Sequence, residues 1–497
     1  MVSSIAGGSE SSHLGTVAEL IAFRAARQPD APALRALSGQ EIGYGALAGQ
    51  METARVSLRR LGVGPRDRVA VLMSGGPVAV ACTLTVMSAA VLAPIDPLTP
   101  LPGIVDLLHR LDPAALAALP GPEMGLALDA ARQAGLPVIQ VVPDPANPFL
   151  LSFDGVAPTA PAPDSPVSSA DLAMIISTSG TTGKPKLVAS PHGSHGGPMP
   201  PGVDPLGLGP GERSIIMTPL AHGHGHASIN RPLRAGALVI VPERPDVAQL
   251  PAWMAAHDPT WLDLTPHLLA RLADLLDRGA LTPNPALRFV RCGSAHLDPA
   301  LRERAEGVLR VPIYNAYGSS EGGNIAMEGT VWPSRPGTVG RITCPVRITL
   351  DGIVVAPGEA GEIEVSGPRV FAGYLDDPEA TARAFTPDRW YRTGDRGYVR
   401  DGYLALLGRI DEVINSGGLK IDPAEIDAAL LAYPGVRDAA AYPAPHPVKG
   451  QVAAAAVVLE PGRPLDRRAL RRWLLDRIGV RKVPVVIREV ESLPRTA

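Results

Sequence analysis

Apolar residues fall into two kinds of run along this chain. In "TVAELIAFRAARQPDAPAL" (16–34) they recur at three- and four-residue spacing, which predicts an amphipathic helix ended near Pro29. "DRVAVLM" (67–73) is short and continuous, the mark of a buried strand, and "VAVACTLTVMSAAVLAPID" (78–96) predicts a helix followed by a strand that ends at Pro94. That strand–helix–strand rhythm predicts a parallel sheet. "DLAMIIS" (171–177) is another strand, and a second alternation follows: SIIMT, ALVIV, WLDLT, a helix over 267–278, LRFVRCG, a helix over 298–309 and VPIYNAYG. Residues 337–407 change character. VRITLDG, GEIEVSG and RDGYLALLG alternate over short spans between turn signals, which predicts a compact antiparallel unit. An α+β segment closes the chain, with helices over 423–432 and 465–478 and strands near 438–443 and 452–459. No period of 20–50 residues repeats.

Composition narrows the class. The 497 residues are 45% hydrophobic and 19% charged, enough for sizeable cores and against global disorder. A net charge of −3 exerts no general pull on nucleic acid or anionic membrane, so neither is an expected partner. Cys82, Cys292 and Cys344 are few and scattered, which points to a reducing compartment. The first residues lack the basic start and apolar core of a signal peptide, and no run reaches the roughly 18 apolar residues of a membrane span. A cytoplasmic protein is expected. The 53 Pro and 52 Gly imply many turns, and VAPTAPAPDSPVSS (156–169) reads as a linker.

"STSGTTGKPK" (177–186) leaves the strand 171–177 as a loop rich in hydroxyls and glycine, with two lysines and no acid. Glycines let backbone N–H groups face an anion, hydroxyls donate hydrogen bonds and Lys adds charge. The gap of two residues between Gly180 and Gly183, and Pro185 after Lys184, exclude a Walker loop. A polar surface loop is the other reading of the bare pattern.

Three further stretches follow in order: YGSSEGG (317–323), YRTGDRG (391–397) and GRIDEVINSGGLKIDPAEID (408–427). Together with 177–186 they resemble the motifs of the adenylate-forming superfamily, which includes acyl- and aryl-CoA synthetases, nonribosomal-peptide adenylation domains and luciferases. The likeness spans nearly the whole chain and is closest to a free-standing acyl/aryl-CoA ligase. It implies an α/β fold: a large N-terminal domain (1–408) of two doubly wound α/β subdomains with a small β-barrel-like subdomain (337–408), a hinge (409–411), and a small mobile α+β C-terminal domain (412–497). It implies that a carboxylate attacks the α-phosphorus of ATP, that pyrophosphate leaves, and that a thiol then takes the acyl group from AMP.

The resemblance also implies roles. Thr178, Ser179, Gly180, Thr181, Thr182, Gly183 and Lys184 would cradle the β/γ-phosphates. Glu321 would hold Mg²⁺, a hard ion suited to carboxylate and phosphate oxygens. Ser320 stands where the family often has Thr and keeps a hydroxyl for the α-phosphate. Tyr317 would stack on adenine, flanked by Gly293, Ser294 and Ala295 and carried with Asn315, Ala316 and Gly318. Asp395 would bind the ribose, and Arg409 would contact the same ribose or the phosphate. Asp411 matches the hinge position, and Gly417, Gly418, Leu419 and Lys420 match the loop that admits a pantetheine arm. The family's adenylation lysine follows an LPRT signature by about three residues. Here SLPRTA (492–497) ends the chain, so that lysine is absent from it, and neither Lys449 nor Lys482 lies in the motif. A trimmed sequence, which the stop in mid-motif favours, a natural truncation and an enzyme of the second half-reaction are the three explanations.

"PLAHGHGHASINRPL" (219–233) aligns with the family's acyl-pocket segment. His222 takes the position that gates the carboxylate, and His224 and His226 follow at alternate positions. His-x-His-x-His could hold a metal, but no Cys or carboxylate cluster accompanies it. No Asp occurs between 219 and 236, which argues against an α-amino acid. Small residues at Gly223, Gly225, Ala227 and Ser228, with Ser294 and Gly322, suggest room for a ring or a bulky acid. Eight basic residues between Arg463 and Lys482 suit the phosphates of CoA, the acidic helix of a carrier protein, or simply a solvated helix face. The expected activity is an ATP- and Mg²⁺-dependent carboxylate–CoA ligation. The alternatives are loading of a carrier-protein phosphopantetheine and, from another class, an inactive nucleotide- or acyl-binding protein.

Overall fold

The computed structural model describes residues 15–493 other than 74, 156–160, 179–184, 196–204, 280–284, 333, 411–413, 417–418, 422, 447–449, 461 and 481. The chain divides into two compact units, one of Met1–Pro345 with Val365–Tyr391, the other of Val346–Glu364 with Arg392–Ala497. The expected boundary at 408 falls inside the second. Among the described residues no helix is long and apolar enough to cross a membrane.

The first unit is mixed α/β. Its opening helix, Val17–Arg27, starts from a reciprocal capping box: the Thr16 hydroxyl accepts from the Glu19 N–H at 3.1 Å, and the Glu19 carboxylate accepts from the Thr16 N–H at 2.9 Å. An eight-stranded sheet has a parallel centre, in the order Leu172–Thr178, Val91–Ile95, Arg68–Leu72, Ala115–Ala118 and Val138–Pro143. Val91–Ile95, Arg68–Leu72 and Ala115–Ala118 are buried almost without alternation, as strands covered on both faces are, whereas Val138–Pro143 alternates. Pro77–Ala89 is apolar on every side and buried along nearly its whole length. Antiparallel Lys186–Pro191 and Leu151–Asp154 flank the parallel centre.

A second set of strands, Trp261–Leu264, Phe289–Gly293 and Ile313–Ser319, is also parallel, with helices Pro266–Asp277 and Pro299–Leu309 in the crossovers. Their C-terminal ends therefore share one edge, where open α/β sheets bind ligands. Gly323–Met327 returns antiparallel after the turn that holds Ser320 and Glu321. Gly318 is required there: a Cβ would stand 2.2 Å from the Gly323 carbonyl oxygen.

The second unit has neighbouring strands in the order Tyr403–Arg409, Tyr391–Arg400, Gly361–Val365, Val346–Leu350 and Ile353–Val354, the first pair and the last pair antiparallel. It continues into a sheet built on Val436–His446 and Gly450–Leu459, packed with helices Pro423–Leu431 and Arg467–Ile478. The arginine-rich helix buries Leu470 and Leu474 and leaves Arg468, Arg471 and Arg472 exposed.

Candidate active site

A cavity of about 470 Å³ lies in the first unit. One wall is a single face of the helix Gly223–Ala235, which presents Gly223, His224, Ala227, Asn230, Arg231 and Arg234. These positions advance by three and four residues, the spacing of one helical stripe. The lining also includes Ile176 near the end of its strand, Ser294 just after Phe289–Gly293, Ser319 at the end of Ile313–Ser319, and Ser320 after it. Of the sequence motifs, YGSSEGG (317–323) borders this space through Gly318, Ser319, Ser320 and Gly323, together with Ser294 and the segment from Gly223. A larger and more open depression of about 770 Å³, lined by Ala372, Gly373, Tyr374, Phe385 and Arg389 among others, holds none of the expected site residues.

At the Gly223 end, the place a Cβ would take is 3.4 Å from Ile176 Cδ1 and 3.5 Å from Ser320 Oγ. Glu321 follows in the same turn. Its backbone oxygen accepts from Phe371 N at 2.8 Å, and its Oε1 accepts from the Tyr374 hydroxyl at 3.2 Å. The Lys186 ammonium sits 4.7 Å from the centre of the Tyr374 ring, an attractive cation–π placement. Burial and the nearby Glu321 carboxylate raise the Tyr391 hydroxyl well above its ordinary pKa, so it stays protonated beside that carboxylate.

Behind the cavity wall lies a group that the sequence reading missed. Asp263, 2% exposed, accepts from Arg291 Nη1 at 2.6 Å and lies 2.9 Å from His224 Nε2 and 3.4 Å from Arg231 Nη1. Burial alone would favour the neutral acid, but these cations hold its carboxyl far below the usual range. An ionised carboxylate only accepts, which places the proton of His224 on Nε2. Ser294 Oγ then donates to His224 Nδ1, 2.8 Å away, when the ring is neutral. Ser294 itself has φ +72°, a left-handed backbone that is uncommon outside glycine. The signal in the sequence was a lone acid in the otherwise apolar strand WLDL, 39 residues from the histidine it pairs with.

The expected residues divide as follows. Thr178 ends its strand, with its hydroxyl 3.4 Å from the Lys186 carbonyl, and Ser179, Gly180, Thr181, Thr182, Gly183 and Lys184 lie outside the described residues. Gly293, Asn315, Ala316, Tyr317 and Gly318 lie on the two parallel strands leading to the cavity edge, and Ala295 follows exposed. Asp395 and Arg409 belong to the second unit, where they are register partners on adjacent strands and Arg409 Nη1 lies 3.2 Å from Asp395 Oδ1. Asp411, Gly417 and Gly418 lie outside the described residues, and Leu419 and Lys420 begin the short strand Leu419–Ile421.

Two pocket expectations are corrected. Gly225 faces away from the cavity: a Cβ there would stand 2.2 Å from the Pro219 carbonyl oxygen, so glycine serves close backbone packing. Gly322 is buried, donates its N–H to Ser319 Oγ at 2.9 Å, and would press an added Cβ against Ile325. His222 is exposed at the position before the helix, while His224 lines the cavity and His226 is buried. Among the described residues no cluster of three or more His, Cys, Asp or Glu could hold a metal.

Residues 21–375 match the family of AMP-binding enzymes, and residues 425–497 match the AMP-binding enzyme C-terminal domain. The sulfoacetate–CoA ligase of Cupriavidus necator is 34% identical over 97% of this chain and 95% of its own length. The oxalate–CoA ligase of Saccharomyces cerevisiae is 32% identical over 66% of this chain and 61% of its own. Among solved structures, ATP-bound MatB from Rhodopseudomonas palustris superposes with a TM-score of 0.83 at 25% identity, covering 96% of each chain.

Proposed function

The chain belongs to the AMP-binding enzymes, and on that premise we propose that it joins a carboxylic acid to CoA in two steps. The acid carboxylate attacks the α-phosphorus of ATP, and the bond to pyrophosphate breaks. The CoA thiolate then adds to the acyl carbonyl, and AMP leaves with the electron pair of its phosphate–acyl bond. The chain is thus an AMP-forming acid–thiol ligase, with ATP and CoA as its co-substrates. Sulfoacetate and oxalate, the acids in the names of two relatives, belong in any test panel.

The observation that carries this reading is the convergence of separate segments on one cavity: Ser294 and Ser320, 26 residues apart in sequence, both line it together with Gly223. Ser320 would hold the α-phosphate by its hydroxyl. The loop 179–184 would take the outer phosphates, and Asp395 with Arg409 the ribose. Glu321 would hold Mg²⁺. A single carboxylate suits this ion, which is usually bound by one or two carboxylates together with substrate phosphates. Bound there, Mg²⁺ supplies charge neutralisation on the phosphates. Residues 409–411 would be the hinge and 417–420 the path of the thiol. A pantetheinyl carrier protein is the second acceptor to be tested, favoured by the exposed arginines of Arg467–Ile478.

The test is direct. The chain is incubated with ATP, Mg²⁺, CoA and a panel of acids, and pyrophosphate and thioester are measured together. Equal formation of both, with CoA preferred over a carrier, is expected. Glu321→Gln should lower the rate at least tenfold across a magnesium titration and leave the melting temperature unchanged. Binding of ATP without pyrophosphate release from any acid would sink the ligase reading in favour of a nucleotide-binding protein.

A further inference from the structure

The cavity carries more positive charge than adenylation of a simple acid requires. Five arginines line it among the described residues, Arg24, Arg231, Arg234, Arg291 and Arg369, and no Asp or Glu does. Asp263, behind the wall, neutralises part of this charge through Arg231 and Arg291. Others hydrogen-bond to backbone carbonyls: Arg24 to that of Arg234, Arg234 to that of His195 and Arg369 to that of Thr343. Burial lowers the pKa of Arg24 and of Arg369, a sign that the cationic form is poorly solvated there. Asn230 adds a directed donor. It lines the cavity at 4% exposure, and its Nδ2 has no hydrogen-bond partner among the described residues. Such a group calls for an occupant that accepts.

The charge is also placed. Gly223 and Ser320 mark the reacting end if the ligase reading above holds, because Ser320 is the group set for the α-phosphate. Asn230, Arg231 and Arg234 lie two to three turns further along the same helix face, roughly 10–16 Å by helical rise. Long side chains lean back toward the helix N-terminus, which shortens that separation. The space between a reacting carboxylate and the far cations therefore suits a small acid, with Ala227 giving room between them.

We infer that the acid activated here carries a second anionic group, a carboxylate or a sulfonate, bound by Arg231, Arg234 and Asn230 at the far end of the cavity. This replaces the bulky or aromatic acid suggested by the small residues of the segment, since Gly225 does not face the cavity and the far wall is cationic. It rests on the ligase reading and is tested separately from it.

Matched acids decide the matter: propionate against malonate, butyrate against succinate, and propionate against sulfoacetate, each assayed for pyrophosphate release and thioester. At least a tenfold higher kcat/KM for the dianion of a pair is expected, and the malonate, succinate and sulfoacetate arms tell carboxylate from sulfonate. Arg231→Gln should erase that preference by tenfold or more, Arg231→Lys should keep part of it, and Asn230→Ala should weaken it severalfold. Equal use of the charged and uncharged partners, or an equal loss for both in Arg231→Gln, overturns the inference and leaves the ligase intact. If no acid releases pyrophosphate, the ligase reading fails, and the melting temperature with malonate, succinate or sulfoacetate alone then decides. A rise that Arg231→Gln abolishes supports the second-anion site, and no rise overturns it.

Discussion

Ser294 holds two properties that substitution separates. Its φ of +72° costs an L-residue about 1–2 kcal/mol, and its hydroxyl is 2.8 Å from His224 Nδ1. Ser294→Gly removes strain and hydroxyl together, while Ser294→Ala removes the hydroxyl alone. Both should slow acid activation by a similar factor, but the glycine variant should be more stable than the alanine variant by about 1 kcal/mol. Denaturant midpoints and turnover on the same samples check this, and equal stability of the two would remove the strain. Asp263→Asn tests the network behind Ser294. It leaves the buried Arg291 guanidinium, 8% exposed, without its charge partner, and breaking such a pair costs about 3–5 kcal/mol. A variant that melts like the parent would show the pair to be dispensable. Residues of this kind differ in how legible they are. Ser320, which lines the cavity, stands in a short contiguous motif. Asp263 stands in none: its partners lie 28 to 39 residues away and only folding brings them to one carboxylate.

The helix Gly223–Ala235 shows what a linear reading of spacing loses. Gly223, Gly225 and Ala227 alternate like one face of a strand, and so do His222, His224 and His226. On a helix each residue turns about 100°, so two positions apart means nearly opposite sides. Gly223 and Ala227 line the cavity, and Gly225 packs on the backbone of Pro219. A Cβ at Gly225 has no room without moving main chain, so Gly225→Ala should destabilise by about 1–3 kcal/mol and lower activity only as far as folding suffers. Gly223→Ala meets ordinary contacts at 3.4–3.5 Å and should fold normally while raising KM for the acid. Thermal melts with acid titrations on both variants distinguish the two, and a stable Gly225→Ala with altered acid preference would reverse the assignment of faces. Arg68–Leu72, Val91–Ile95 and Leu172–Thr178 were legible for the opposite reason, whereas Ala115–Ala118 and Val138–Pro143 were not read. A strand buried on both faces needs only a short apolar run, as in VLAPI, and carries no phase to mistake.

Across the first unit, three histidines tie stability to pH. His192 and His226 are buried and His195 is half-buried with its Nε2 shielded, and desolvation lowers their pKa values to about 4, 4 and 3 respectively. His195 is held lower still by the positive charge that His226 and His192 would carry. In the unfolded chain each returns to about 6.5. As pH falls below 6.5 the unfolded chain takes up protons that the folded chain refuses, so folding loses stability, and this loss from the three groups levels off only below about pH 3 to 4. Asp263 acts in a different window: its stabilising charge is lost only below the ordinary carboxylate range, so it does not contribute between pH 7 and 5. Each histidine is worth about 1.4 kcal/mol per pH unit below 6.5, or about 2 kcal/mol at pH 5 and about 6 for all three. That is a large part of the roughly 5–15 kcal/mol that holds a domain folded. Urea midpoints between pH 7.5 and 5 should therefore fall steeply. His226→Leu, which keeps an apolar group of similar size at a site with 0% exposure, should remove about a third of that slope. An unchanged slope in the variant would mean that His226 takes up protons alike in the folded and unfolded chain, and its neutral buried state would have to be abandoned.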